Sequence, residues 1–233
     1  MTGAGAATRP LDAATGRAIA AAFLPSHPLG NRWDYYYSRT KLGSDPLYPG
    51  VADALRGTRA PLLDMGCGLG LLAHTLHADG IELDYRGVDS DAGKIARATR
   101  AAARAGLAHA HFEAVDLTRV LPAHRGSVAI LDVLQFIPPL AQARALDAAI
   151  AMLVPGSRLV IRTGLDDGSG RARITLAVDV FSRVLGWMNA APRHYPMRDE
   201  LLSRLRSAGL EVEMTALYGN TPFNNWRLVA TRS

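Results

Sequence analysis

The stretch Pro61-Leu62-Leu63-Asp64-Met65-Gly66-Cys67-Gly68-Leu69-Gly70 constrains this chain more than any other. A short apolar run ends in an acid, glycines follow at alternate positions, and Leu69 to Asp79 carries helical spacing. A buried strand that breaks into a glycine loop and then starts a helix belongs to a parallel sheet. The glycines let the backbone turn tightly and approach a ligand, and the first helical turn offers unpaired N–H groups. The stretch therefore predicts a nucleotide-sized binding loop at the carboxyl end of a strand.

Two details separate ligand classes. A dinucleotide loop places a third glycine three residues after its second, and Leu71 holds that position. Asp64, just before the first glycine, suits a site that must hold an ammonium group near the strand end.

Composition limits the alternatives. A length of 233 residues suits one α/β domain with its own core or two very small ones. Hydrophobic residues at 48% and charged ones at 20% mark an ordinary globular chain. The net charge of +5 comes from arginine, since only Lys41 and Lys94 are lysine, and no run of consecutive basic residues exists. No nucleic-acid partner is expected. The single cysteine, Cys67, excludes an internal disulfide framework and reads as small filler in the loop rather than a nucleophile. The apolar run Ala18 to Leu24, closed by Pro25, is too short to cross a membrane, so a cytoplasmic location without a membrane partner is expected.

Along the chain, Leu11 to Leu24 has helical spacing. The segment Arg32 to Lys41 follows and gathers Tyr35, Tyr36 and Tyr37. Two readings stand: an amphipathic helix packing its rings on the main domain, or a lid whose tyrosine hydroxyls and Lys41 face cofactor or substrate. Residues 1–44 are accordingly expected to form an N-terminal helical cap, and 45–233 the binding domain. Asp45-Pro46 reads as the start of a helix running to about Leu55. Strands are predicted at Leu83–Asp89, Ala110–Val115, Ser127–Leu131 and Arg158–Arg162, separated by helices. That order implies a doubly wound α/β sheet. Helices at Ile174–Trp187 and Met197–Ala208 and strands at Leu210–Leu217 and Arg227–Thr231 complete the reading. Asp89, at the second strand end, can accept ribose hydroxyls, although either it or Asp91 could instead cap the next helix. Asp116, one strand further out, can accept an adenine amino group or serve as a solvated turn carboxylate.

With these strand ends in hand, the chain resembles class I S-adenosylmethionine (SAM)-dependent methyltransferases from roughly Asp45 to Ser233. The resemblance rests on Asp64 to Gly70, Asp89, Asp116-Leu117, Asp132-Val133-Leu134-Gln135-Phe136 and the Leu153-Val154-Pro155-Gly156 turn. It implies a mostly parallel seven-stranded Rossmann-like sheet with an antiparallel last strand. It implies SAM as cofactor and S-adenosylhomocysteine (SAH) as product. Asp64, Gly66, Cys67 and Gly68 would hold the methionine part, Asp89 the ribose, and Asp116 with Leu117 the adenine. Asp132 would also contact the cofactor, and the segment it opens would line the reaction centre. The chain departs from amino-directed nucleic-acid methyltransferases, which carry Asn/Asp-Pro-Pro-aromatic after the fourth strand. Only Asp132 is placed like a carboxylate of the metal-dependent catechol type, so no metal is expected. His74, His77, His109 and His111 lack ligand partners at suitable spacing and are expected on the surface. The tyrosine segment and Thr221-Pro222-Phe223-Asn224-Asn225 also resemble a bacterial small-molecule group found beside polyketide- or aryl-polyene-type pathways.

The expected activity is methyl transfer to an O or C atom of a small or carrier-bound acyl or aryl substrate. Tyr37, Lys41, Gln135, Phe136, Arg162 and Arg173 are the expected substrate residues, with the arginines attracting an anionic or carrier-borne acceptor. His194 is the candidate general base and Tyr195 the group that orients the acceptor. The rival readings are a non-catalytic binding subunit of the same fold and an NAD(P)-linked oxidoreductase, the latter opposed by Leu71.

Overall fold

The computed structural model describes residues 8–165, 194–219 and 224–233. Seven strands form one sheet: β1 Leu62–Met65, β2 Tyr85–Asp89, β3 Ala110–Ala114, β4 Ser127–Leu131, β5 Arg158–Gly164, β6 Glu211–Ala216 and β7 Asn225–Thr231. Their order is β3-β2-β1-β4-β5-β7-β6. β7 runs antiparallel to both neighbours and the rest are parallel. The expected doubly wound sheet with an antiparallel last strand is what the chain forms. The order reverses between β1 and β4, and the crevice beyond their carboxyl ends is where such sheets hold ligands.

Strand alternation decides what each face receives. In β1, Leu63 and Met65 join one core with Val128, Ile130, Leu159 and Ile161. Leu62 joins the opposite core with Tyr85, Ala129, Leu131 and Val160. Asp64 and Arg162 follow Leu62 and Val160 by two residues, so both lie on this second face. Helix α3 (Leu47–Leu55) covers it through Leu47, Val51 and Leu55.

The other described helices are α1 Ala13–Ala21, α2 Trp33–Ser44, α4 Leu71–Ala78, α5 Ala92–Ala105, α6 Pro139–Met152 and α7 Arg198–Ser207. A short 3-10 turn spans Leu134–Phe136. The predicted elements recur with ends shifted by no more than three residues, and Ile174–Trp187 lies outside the described residues. Asp12 caps α1 by accepting from the Ala14 and Thr15 amides at 2.9 and 3.0 Å. Ile19, Phe23 and Leu42 then pack the α1–α2 pair onto Leu69, Leu71 and Ala101.

Two expectations fail here. His74 is buried rather than on the surface: it faces Phe23 with ring centroids 5.1 Å apart, and burial lowers its pKa to about 4. Of the α2 tyrosines only Tyr35 is half-buried, so inward packing of all three rings is not what forms. Only Ser38 and Leu42 of that helix are buried, while Trp33, Tyr36 and Tyr37 stay 52%, 53% and 40% exposed. No described helix is long and apolar enough to cross a membrane.

Candidate active site: a cavity at the strand switch

The glycine loop shapes the donor end. Gly66, at φ 87°, has a left-handed backbone, and a Cβ there would stand 2.2 Å from Val133 Cγ2. Gly68, at φ 56°, differs, because a Cβ there would meet nothing within 4 Å. The first glycine is required by packing, and the second keeps a volume open. Cys67 turns inward against Gly87. Burial first, then the neighbouring Asp64 and Asp89 carboxylates, push its thiol up, which supports filler over nucleophile.

The Gly68 amide donates to Asp89 Oδ2 at 3.0 Å, and the Asp91 amide donates to Asp89 Oδ1 at 2.9 Å. Asp91, not Asp89, caps α5 by accepting from the Lys94 amide. Asp89 is thereby fixed with one further lone pair on each oxygen to offer. Asp116 Oδ1 accepts from the Thr118 hydroxyl and amide at 2.7 and 2.9 Å, which hold its pKa below the ordinary value. Its second oxygen accepts no hydrogen bond from the described protein.

Asp64 is the least ordinary of the four acids. Tyr85, a diagonal neighbour on the same sheet face, donates its hydroxyl to Asp64 Oδ2 at 2.5 Å. Oδ1 is buried with no hydrogen-bond partner. Burial drives the carboxyl up to about 7, with the Tyr85 bond opposing and Asp89 adding to the rise.

At the other end of the cavity four charges meet. Arg162, 1% exposed, donates from Nη2 to both oxygens of Asp45 at 3.1 Å and from Nη1 to Asp132 Oδ2. Lys41 Nζ lies 2.6 Å from Asp45 and 3.6 Å from Asp132. Burial opposes the charge on Arg162, Asp45 and Lys41. The opposite partners outweigh it, so Arg162 and Lys41 are raised and Asp45 is lowered. Two cations and two anions make the cluster neutral. Asp45 also accepts from the Leu47 amide at 2.9 Å, but it lies one residue before the N-cap position of α3, which Pro46 takes in place of the expected Asp45.

Asp132 is the one described non-glycine residue with positive φ, at 56°. Its amide donates to the Arg162 carbonyl at 2.8 Å, and its Oδ1 is buried without a partner. A conformation costing on the order of 1–3 kcal/mol persists only where surroundings impose it, and such positions concentrate at functional sites.

A single cavity of about 690 Å³ connects these groups. On its wall stand Asp64, Gly66, Cys67, Gly68, Asp89, Asp116, Leu117 and Asp132, and from the expected acceptor side Tyr37, Lys41, Gln135, Phe136, Arg162 and Tyr195. Three expectations change or lapse. Arg162 presents no free charge to an anionic acceptor, because Asp45 and Asp132 consume it. His194 is exposed and does not line the cavity: its backbone is pinned by the Gln135 carbonyl and by Gln142, while Tyr195 packs on Gly164 and reaches the wall. Arg173 lies outside the described residues. Sequence reasoning missed Asp45 and Asn225 as wall residues. Asp45 carried a helix-start signal and Asn225 its place in the Thr221–Asn225 resemblance, and neither signal points to a cavity wall.

The site fits SAM on structural grounds. Asp64 Oδ1 is a buried acceptor in want of a cation, Gly68 faces open volume, and Asp89 offers two fixed oxygens nearby. Among the described residues no group of three or more side chains could hold a metal ion.

These features place a cavity with fixed carboxylates at the switch point of a doubly wound sheet, where such folds hold nucleotides. Residues 62–156 match the model of a family described as a methyltransferase domain. The matched segment holds the glycine loop and the carboxyl ends of β1 to β4, which line the cavity. No curated protein sequence matches it. Among solved structures, it is similar to an O-methyltransferase family protein from Burkholderia thailandensis at 19% identity and TM-score 0.62, covering 86% of this chain and 59% of that one. It is also similar to magnesium protoporphyrin IX methyltransferase from Synechocystis PCC 6803, solved with SAH, at 18% identity and TM-score 0.62, covering 95% and 96%. The 4+2 cyclase SpnF is similar too, at 17% identity and TM-score 0.60, covering 93% and 90%. These likenesses establish the fold. The chain spans about three fifths of the length of the first structures it matches.

A pH dependence follows from Asp64. Its folded-state pKa lies above that of an unfolded aspartate, about 3.9. The folded protein therefore keeps a proton that the unfolded chain has lost, and this group's contribution to stability falls as pH rises from about 4 to about 7. A ligand ammonium favours the carboxylate, so SAH affinity should rise with pH up to about 7 and level off above it. Calorimetry at pH 6 in buffers of different ionisation heat should show proton release on binding, absent in Asp64→Asn. Equal heats in all buffers for the wild type would contradict the assignment.

Proposed function

We propose that the chain methylates a hydroxyl or carboxyl oxygen of a small or carrier-borne aryl or unsaturated acyl substrate, with Asp132 as the acceptor-side carboxylate. One observation carries this reading: Asp132 Oδ1 is buried, unpartnered and held in a strained backbone at the cavity wall, while its Oδ2 is locked by Arg162 and faced by Lys41. SAM supplies an electrophilic methyl group on a sulfonium centre. With SAM bound, Asp132 Oδ1 would take the proton of a hydroxyl acceptor while the methyl group passes to that oxygen, the sulfonium S–C bond breaking with its electron pair kept on the sulfur of SAH. A carboxyl acceptor is already ionised and loses no proton. The Lys41 ammonium balances the negative charge that develops on the acceptor oxygen. Tyr37, Tyr48, Phe136 and Tyr195 supply flat walls that suit an aryl or conjugated body and displace water. This moves Asp132 from the cofactor side to the acceptor side, and replaces His194 as base.

The test supplies labelled SAM with a panel of simple phenols, carboxylic acids and acyl thioesters. Transfer to oxygen is expected, and Asp132→Asn should lower turnover about 10²–10⁴-fold while SAH affinity stays within about twofold. Transfer only to the thioester α-carbon would overturn the oxygen assignment. Full turnover in Asp132→Asn would overturn the role of the carboxylate. Tight SAH binding without transfer to any acceptor would favour the binding-subunit reading.

A further inference from the structure

A second cavity, of about 420 Å³, opens between the α1–α2 connection and α5. Phe23 and Ala101, both buried, lie at its base, and the half-exposed Trp33 borders it. Arg97, Arg100 and Arg104 stand at i, i+3 and i+7 on α5, which sets three guanidinium groups along one helix face. Arg104 is aimed from the far end, since its Nη1 donates to the carbonyls of Ala22 and Leu24. Arg97 faces Asp34 at 3.0 Å. Arg100 is exposed and makes no hydrogen bond or ion pair with the described residues. Asn31 Oδ1 accepts from the Trp33 amide at 2.8 Å, leaving its side-chain nitrogen to donate elsewhere. Three arginines against one aspartate leave the lining with two net positive charges.

A cleft of this size with apolar base, tryptophan edge and convergent guanidinium groups has the chemistry of an anion site. The planar fork of arginine pairs with carboxylate or phosphate through two parallel bonds, and its plane also stacks on flat rings. We infer that this cavity binds an organic anion, a carboxylate or phosphate borne on a flat or apolar body, at a site separate from that of the methyl donor. Trp33, Asp34 and Arg97 line both cavities. An anion bridging α5 and the start of α2 therefore restrains the helical cap beside the donor and couples the two sites.

The experiment titrates two probes, 1-naphthoate and inorganic pyrophosphate, into protein already saturated with SAH, which closes the donor end of the larger cavity. The Arg100 variants tell binding in the smaller cavity from binding at the acceptor end. Binding is read by calorimetry and by quenching of tryptophan fluorescence in the wild type, Arg100→Ala and Arg100→Glu. Saturable binding of at least one probe is expected, weakened about tenfold or more in Arg100→Ala and further in Arg100→Glu, with the SAH affinity of both variants unchanged. Preference for naphthoate assigns a carboxylate on a ring, and preference for pyrophosphate a phosphate. Absence of saturable binding of both probes through the millimolar range overturns the inference. Equal affinity in the wild type and Arg100→Glu does so as well.

Discussion

Arg162→Met should destabilise the protein by about 3–5 kcal/mol, the range for removing one partner from a buried ion pair. Arg162 is essentially inaccessible and binds two carboxylates, so its loss leaves Asp45 and Asp132 with Lys41 alone. For a chain of this size that corresponds to a melting temperature lower by roughly 6–20 °C. A methionine fills most of the vacated volume, so the loss reports charge rather than a cavity. The double variant Arg162→Met with Asp45→Asn separates the two, because removing the stranded anion should recover part of the stability. A loss below about 1 kcal/mol for Arg162→Met would mean that water solvates the cluster and that it does not organise the strand ends. The cluster also joins α2 to β4 and β5. Its disruption should therefore reach the acceptor end of the cavity before the donor end.

Gly68→Val should lower SAH affinity by more than 100-fold. At φ 56° a side chain costs roughly 1–2 kcal/mol in backbone strain, and a branched one crowds the turn further. The larger effect is occupation, because the open space beside Gly68 lies on the cavity wall next to Asp89. Gly68→Ala should fall between the two, since it keeps the strain and intrudes less. Calorimetric titration with SAH, alongside circular dichroism to verify folding, measures both. Affinity within threefold of the wild type for a folded Gly68→Val would remove the glycine loop from the donor site. Gly66→Val makes a poor control. A Cβ there collides with Val133, so lost binding could not be separated from lost packing.

Everything that depends on local pattern was legible in the sequence. The apolar Leu62-Leu63 pair, the acid and the alternating glycines specified strand, loop and helix, because each rests on backbone freedom and side-chain period within a few residues. The alternation of strands and helices specified the sheet, and strand-end position put Asp64, Asp89, Asp116 and Asp132 on one crevice. Alternation in β5 could even place Arg162 on the face of Val160. It could not say what would meet it there. Asp45 lies 117 residues away in sequence, and only the docking of α3 on that face brings it within hydrogen-bond distance. The same long-range packing decided that His74 is covered by Phe23, that Asp91 rather than Asp89 takes the helix cap, and that Tyr195 rather than His194 reaches the cavity. A residue's chemical type is written in the chain. Its charge state and its partners depend on which distant groups exclude water from it, and only the tertiary structure sets those.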